Sequence, residues 1–174
     1  MNLYLSEKLT QRADAYALLA HAVRHSWGLE QLPRIARGKQ GKPFFPDFPK
    51  YHFNLSHSGR FALCALDSLP VGVDMEVFHP HHPRLQERIC SHEQLAWLEQ
   101  QPDRQEALLH LWTLKESRVK YTGLGLTVPL RTIAVPLSDS ACSELDGLLF
   151  HTFSCGDWCA ALCGHTAPGP IITI

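Results

Sequence analysis

"LPVGVDMEVF", Leu69 to Phe78, is the stretch around which the rest of the chain has to be arranged. Val71, Val73, Met75 and Val77 alternate with Gly72, Asp74 and Glu76, so a β-strand points every apolar side chain to one face and both acids to the other. Residues two apart on a strand are separated by about 6.5 to 7 Å at Cα, close enough for two carboxylates to converge on one ion. Without a cation they repel each other, and the plain alternative is the solvated face of an edge strand.

Upstream, "SLP" (Ser68 to Pro70) reads as a seam between two halves, about 1–69 and 70–174, of a single unit. Before it, "YHFNLSHSGRFALCAL" holds two apolar runs around a polar break at Ser56 to Gly59, which predicts two strands joined through a turn. "MNLYLS" predicts a first strand, and Lys8 to Gly28 an amphipathic helix stopped by Gly28. Leu29 to Lys50, rich in Pro, Gly and basic residues, predicts a loop whose backbone can approach a ligand. Downstream, "HPHHP" (His79 to Pro83) predicts a rigid loop of exposed histidines. Helices are expected from Ser91, with Gln94 placed for a capping box, and from about Arg104 to Thr122, ending at "GLG". "RTIAV", "GLLFHTF" and "DWCAALC" predict closing strands.

The 174 residues carry 16 basic and 17 acidic side chains, a formal charge of −1, which argues against binding nucleic acid through a broad positive field. Any anion site must be local. No apolar run approaches the roughly 20 residues that cross a bilayer. The six cysteines follow an N-terminus without the layout of a signal peptide, so reduced thiols in the cytoplasm are expected. Cys155, Cys159, Cys163 and His165 could suggest zinc, but "WCAALC" is explained as well by small buried side chains on a strand.

Chemistry concentrates in three further stretches. In "LWTLKESRVKYTGLGL" (Leu111 to Leu126), helical spacing puts Leu108, Leu111, Trp112 and Val119 on one face, with Lys115 and Glu116 within it or at its margin. A charge there is costly unless paired or bound to metal. An ordinary i,i+4 pair of Glu116 with Lys120 is the bland alternative. "FNLSHSG" (Phe53 to Gly59) crowds Ser56, His57 and Ser58 together as donors suited to phosphate, against a plain polar turn. A Ser-His nucleophile pair is disfavoured, since neighbours on a strand point apart and no G-x-S-x-G elbow is present. "GKP" (Gly41 to Pro43) sets Lys42 on a fixed loop as a point charge for phosphate. Together these residues predict a magnesium-phosphate site: Asp74 and Glu76 from a strand, Glu116 from a helix, and Lys42, His57 and Lys120 facing the anion.

The ordered set "GKP", "FNLSHSG", "VGVDMEV" and "LWTLKESRVKYTGLGL" closely resembles the 4′-phosphopantetheinyl transferase superfamily, in the monomeric, pseudo-dimeric type that activates surfactin synthetase. The resemblance implies an α+β fold of two similar halves related by a pseudo-twofold axis, with the active site between them. It implies transfer of the phosphopantetheine arm of coenzyme A to a serine of an acyl or peptidyl carrier protein, releasing adenosine 3′,5′-bisphosphate. By the same resemblance Asp74, Glu76 and Glu116 hold Mg²⁺, Glu116 is the base, Lys120 contacts the pyrophosphate, and Lys42, Ser56 and His57 bind the nucleotide end of coenzyme A. A cytoplasmic monomer without nucleic-acid or membrane partners is expected.

The chain departs from that pattern upstream. Members of this type usually have more residues before GKP, including basic ones for the 3′-phosphate, and the arginine expected two positions before Leu18-Leu19 is Tyr16. Arg12, Arg34, Arg37 and Lys39 are the candidates to replace it. The competing functions are a non-catalytic coenzyme A or carrier-binding module and a phosphohydrolase using the same metal site.

Overall fold

A computed structural model describes residues 1–79 and 84–174. The side chains of Arg12 and Leu126, and all of the "HPHHP" loop except His79, lie outside the described residues. In chain order the elements are β1 (Asn2–Ser6), α1 (Arg12–Trp27), β2 (Ala36–Arg37), β3 (Pro43–Phe44), β4 (His52–Ser58), β5 (Phe61–Asp67), β6 (Gly72–Val77), α2 (Leu85–Ile89), α3 (His92–Leu98), α4 (Arg104–Thr122), β7 (Cys142–Leu145), β8 (Leu148–Cys155), β9 (Trp158–Gly164) and β10 (Ile171–Thr173). Two 3₁₀ turns, Gly125–Thr127 and Leu130–Thr132, follow α4. This is the α+β class that the motifs imply.

Two four-stranded sheets, in the orders β10-β1-β5-β4 and β6-β9-β8-β7, pack face to face. Alternation along the strands builds three cores. Leu3, Leu5, Phe61, Leu63 and Ala65 of the first sheet meet Val73, Met75, Trp158, Ala160 and Leu162 of the second, and every one of them is buried. The opposite face of the first sheet (Tyr4, Phe53, Ala62, Cys64, Leu66) packs on Ala15, Leu18, Leu19, Ala22 and Val23 of α1. The opposite face of the second (Phe150, Ala161, Cys163) packs on Leu108, Leu111 and Leu114 of α4. The layers therefore run helix, sheet, sheet, helix.

Around each sheet the chain uses a strand, a long helix and a hairpin. β1-α1-β4-β5 gives the order β1-β5-β4, and β6-α4-β8-β9 gives β6-β9-β8, with antiparallel neighbours in each. The final strand crosses back: β10 pairs parallel with β1, Leu3 opposite Ile171 and Leu5 opposite Thr173.

Several local expectations need correction. Ser56, His57 and Ser58 lie on the strand β4, and the turn falls at Gly59 and Arg60. α1 begins at Arg12, with Gln11 and Asp14 closing a capping box, so Lys8 to Gln11 precede it. "RTIAV" forms no strand. The carbonyls of Leu130 and Ile133 accept from Lys115 Nζ at 2.8 and 2.9 Å, which turns this backbone into a 3₁₀ turn instead of leaving it to a sheet. The "loop" from Leu29 to Lys50 contains the two-residue ribbon β2–β3, with Arg37 opposite Pro43.

The cysteines are free thiols, and burial pushes Cys159 and Cys163 on β9 up to about 12, far from the thiolate that metals and electrophiles require. No helix among the described residues is long and apolar enough to cross a membrane.

Candidate active site

The outward face of β6 carries Gly72, Asp74 and Glu76, and α4 lies directly on it. A Cβ at Gly72 would stand 2.0 Å from Ser117 O and 2.3 Å from Tyr121 N, so only glycine lets the helix backbone touch the strand here. Glu116 and Lys120 immediately precede those two contact residues on consecutive turns, which brings both side chains along the strand towards the acids. The helix ends at Gly123, with φ 71° in the left-handed region, and Lys42 from the GKP loop is packed against that cap.

β6 is the edge of its sheet, and its free N–H groups are met by side chains of β4. Val73, Met75 and Val77 donate to Asn54 Oδ1, Ser56 Oγ and Ser58 Oγ at 2.8, 3.2 and 3.2 Å. The two hydroxyls then donate to the acids: Ser56 Oγ to Asp74 Oδ1 at 2.8 Å and Ser58 Oγ to Glu76 Oε2 at 2.6 Å. Every second residue of "NLSHS" thus stitches the two sheets together and orients the carboxylates. His57, between the serines, is exposed and lines the same cleft beside Leu55.

Lys120 Nζ lies 2.6 Å from Asp74 Oδ1 and 2.9 Å from Ser56 Oγ. Asp74 is buried, and its second oxygen, Oδ2, has no hydrogen-bond partner; neither has the buried Oε1 of Glu116. Burial raises the Asp74 carboxyl above the ordinary range, against the opposing pull of Lys120. Burial, then the charges of Asp74 and Glu76, raise Glu116 as well. A raised carboxyl is a better proton acceptor than an exposed one. Two buried, partnerless carboxylate oxygens beside a third acid fit a cation. Among the described residues, no three His, Cys, Asp or Glu side chains form a preformed metal cluster. In this state Lys120 serves as the counter-ion.

Leu55, Ser56, His57, Asp74, Glu76, Trp112, Glu116 and Lys120 line a cleft of about 380 Å³. A second depression of about 190 Å³, bounded by Gln40, Gly41, Lys42, Gly123 and Gly125, meets the first at Glu116 and Lys120. The structure therefore gathers Asp74, Glu76, Glu116, Lys120, Ser56 and His57 in one place and leads from there to Lys42. Lys42 Nζ itself donates to Val71 O at 3.1 Å and Tyr121 O at 2.9 Å, and burial pulls it down to about 8. It clamps the start of β6 to the end of α4.

The model for the 4′-phosphopantetheinyl transferase superfamily matches residues 70–163, from the second residue before the acid-bearing strand to the last but one of β9. The chain belongs to the 4′-phosphopantetheinyl transferase superfamily. It is 40% identical over 126 residues to a 4′-phosphopantetheinyl transferase of Bacillus subtilis, covering 70% of this chain and 56% of that relative. To the 4′-phosphopantetheinyl transferase Sfp of Bacillus subtilis (strain 168) it is 39% identical over 106 residues, 60% of this chain and 47% of the relative. To the 4′-phosphopantetheinyl transferase AcpT of Escherichia coli (strain K12) it is 41% identical over 113 residues, 62% and 54%. The chain spans about half the length of these curated transferases.

Asn54 carries a role that the motifs did not mark, and Ser58 and Lys115 have partners that the motifs did not mark. Ser58 and Asn54 hold the strand edge, and their signal was present as polar residues at period two in an otherwise apolar strand. Lys115, fully buried, pins the segment after α4 through Leu130 O and Ile133 O, and burial pulls it down to about 8. Its position on the apolar face was legible, but its partners lie 15 and 18 residues away and carry no sequence mark.

Proposed function

We propose that this chain transfers the 4′-phosphopantetheine arm of coenzyme A to a serine hydroxyl of an apo acyl or peptidyl carrier protein, with Mg²⁺, releasing adenosine 3′,5′-bisphosphate. The observation that carries the reading is the meeting of Asp74, Glu76, Glu116 and Lys120 in one cleft, with Asp74 Oδ2 and Glu116 Oε1 buried and partnerless. Asp74, Glu76 and Glu116 are the residues that would hold the cation, which would supply charge neutralisation at the pyrophosphate. Glu116, held above the ordinary carboxylate range, takes the proton of the carrier serine. The serine oxygen bonds to the phosphorus of the pantetheine arm, and the bridging P–O bond of the pyrophosphate breaks. Lys120, leaving Asp74, neutralises the departing phosphate. His57 and Ser56 face the phosphates at the other wall, and the Lys42 depression receives the nucleotide end.

We also read residues 1–69 and 70–174 as halves of one unit related by a pseudo-twofold axis, supported by the repeated strand order. The unit is read as a cytoplasmic monomer with coenzyme A and a carrier as its partners.

Following adenosine 3′,5′-bisphosphate by chromatography separates this reading from its rivals. The transferase releases it only when coenzyme A, Mg²⁺ and an apo carrier are all present. Loss of phosphopantetheine to water without a carrier would indicate a phosphohydrolase. Coenzyme A binding with no product under any of these conditions would indicate a binding module.

A further inference from the structure

We propose that His21 and His25, on the outer face of α1, form a site for a divalent transition-metal ion of the Zn²⁺ class, with Tyr4 orienting His25 towards it. The site is separate from the acids of the cleft and does not depend on the transferase reading. It begins in the sequence. In "HAVRH" two imidazoles are four apart on a helix, which sets them on consecutive turns of one face. That is the spacing at which a helix presents two nitrogen ligands to one ion.

Both side chains are exposed, and their rings lie parallel within 9°, with centroids 6.2 Å apart. A tetrahedral ion bound at about 2.0–2.1 Å by each nitrogen holds two ring centres about 5 Å apart, so the pair has to close by only about 1 Å. His25 is anchored from behind. Its Nδ1 lies 2.7 Å from the hydroxyl of Tyr4, a buried side chain, and that hydroxyl lies 2.6 Å from Ser26 Oγ, which also accepts from Asn2 Nδ2 at 3.0 Å. When Tyr4 donates to Ser26, its oxygen accepts the proton of His25 Nδ1, and the lone pair stands on Nε2 at the outer edge of the ring. A hydrogen bond from the nitrogen that does not ligate is what fixes the ring and tautomer of a metal-bound histidine. Tyr4 also meets both rings edge-on, at 71° to His21 and 80° to His25, so one buried side chain supports the pair.

The charges around the pair agree with a cation. The two histidines lie towards the C-terminal end of α1, where the helix carbonyls favour positive charge. Arg24, between them in sequence, turns away to Glu30: its Nη2 donates to the Glu30 carbonyl at 3.0 Å and its Nε lies 3.7 Å from the carboxylate. Imidazole ligands select Zn²⁺, Ni²⁺ and Cu²⁺ over Mg²⁺, which keeps to oxygen, so this pair does not draw Mg²⁺ from the acids. Water completes the coordination.

Calorimetric titration with Zn²⁺ in saturating Mg²⁺ tests the assignment on the full chain carrying Cys142→Ser, which removes a thiol 3.5 Å from His151 Nε2 as a rival zinc ligand. His21→Ala and His25→Ala, added singly to that background, should each weaken one Zn²⁺ binding event about tenfold or more, and the double substitution should do no further harm, because either change leaves a single ligand. Tyr4→Phe should weaken the same event about tenfold and keep it. Both histidines are exposed, so the variants should unfold at the wild-type midpoint without metal, and Zn²⁺ should raise that midpoint less in them than in the parent. Zn²⁺ binding untouched by either histidine substitution, or lost with one and kept with the other, would overturn the site. Zn²⁺ binding indifferent to Tyr4→Phe would overturn the orienting role.

Discussion

Asp74 and Lys120 define the resting state of the cleft at the level of single residues. A lysine 2.6 Å from a buried carboxylate stabilises it in the way a metal would, so a divalent cation has to compete with an internal one. Lys120→Met should therefore bind Mg²⁺ more tightly than wild type in the absence of coenzyme A, measured by calorimetry; equal or weaker binding would contradict the counter-ion role. Glu116 gives a pH prediction. Burial and the neighbouring acids raise its folded pKa above the ordinary 4.5, so the folded chain binds its proton more readily than the unfolded chain. Its contribution to stability is greatest below the ordinary value and falls as pH rises through the raised one. Urea unfolding of metal-free protein should show Glu116→Gln gaining on wild type from pH 5 towards neutrality. Parallel curves for the two proteins would refute this. The acids, Lys120 and their company were legible from residue type and spacing alone. The roles of Ser56 and Ser58 were not, because a hydroxyl on a strand that bonds a carboxylate of another sheet looks in sequence like any polar turn.

At the scale of elements, the site depends on how closely α4 lies on β6. Gly72→Ala places a methyl group 2.0 Å from a helix carbonyl, and relief requires moving backbone rather than a flexible side chain. Destabilisation at or beyond the upper end of the about 1–3 kcal/mol typical of overpacking is expected, with activity lost in the fraction that folds. Thermal unfolding with less than a degree of change would refute the close-contact account. Lys115→Ala removes the buried stem and leaves two carbonyls without their donor, so a loss of about 2–4 kcal/mol is expected by the same measurement. Helix α3, its Ser91–Gln94 capping box and α4 could be read from sequence because caps and periodicity are local signals. The turn at Leu130–Thr132 could not: "RTIAV" has the composition of a strand, and a lysine from another element decides otherwise.

At the scale of the whole molecule, the two sheets share one core, built in nearly equal parts from β1 and β5 on one side and β6 and β9 on the other. Residues 70–174 alone would expose Val73, Met75, Trp158, Ala160 and Leu162 and lose the β4 side chains that satisfy the edge of β6. That fragment should be aggregated or molten, with strong dye binding and no cooperative transition; a cooperatively folding fragment would contradict the shared-core account. The break at Ser68 to Pro70 was visible as a turn signal between two strands, β5 and β6. The return of β10 to the first sheet was not, since Ile171 to Thr173 is too short to mark its partner.

The central claim is that the cleft between β4, β6 and α4 moves a phosphopantetheine group onto a carrier serine. Intact-protein mass spectrometry of apo acyl and peptidyl carriers, incubated with this protein, coenzyme A and Mg²⁺, tests it most directly. The account predicts a mass gain of one phosphopantetheine on at least one carrier, absent when Glu116 is replaced by alanine or the carrier serine by alanine. No gain on any carrier of either class, with folded wild-type protein, would contradict it.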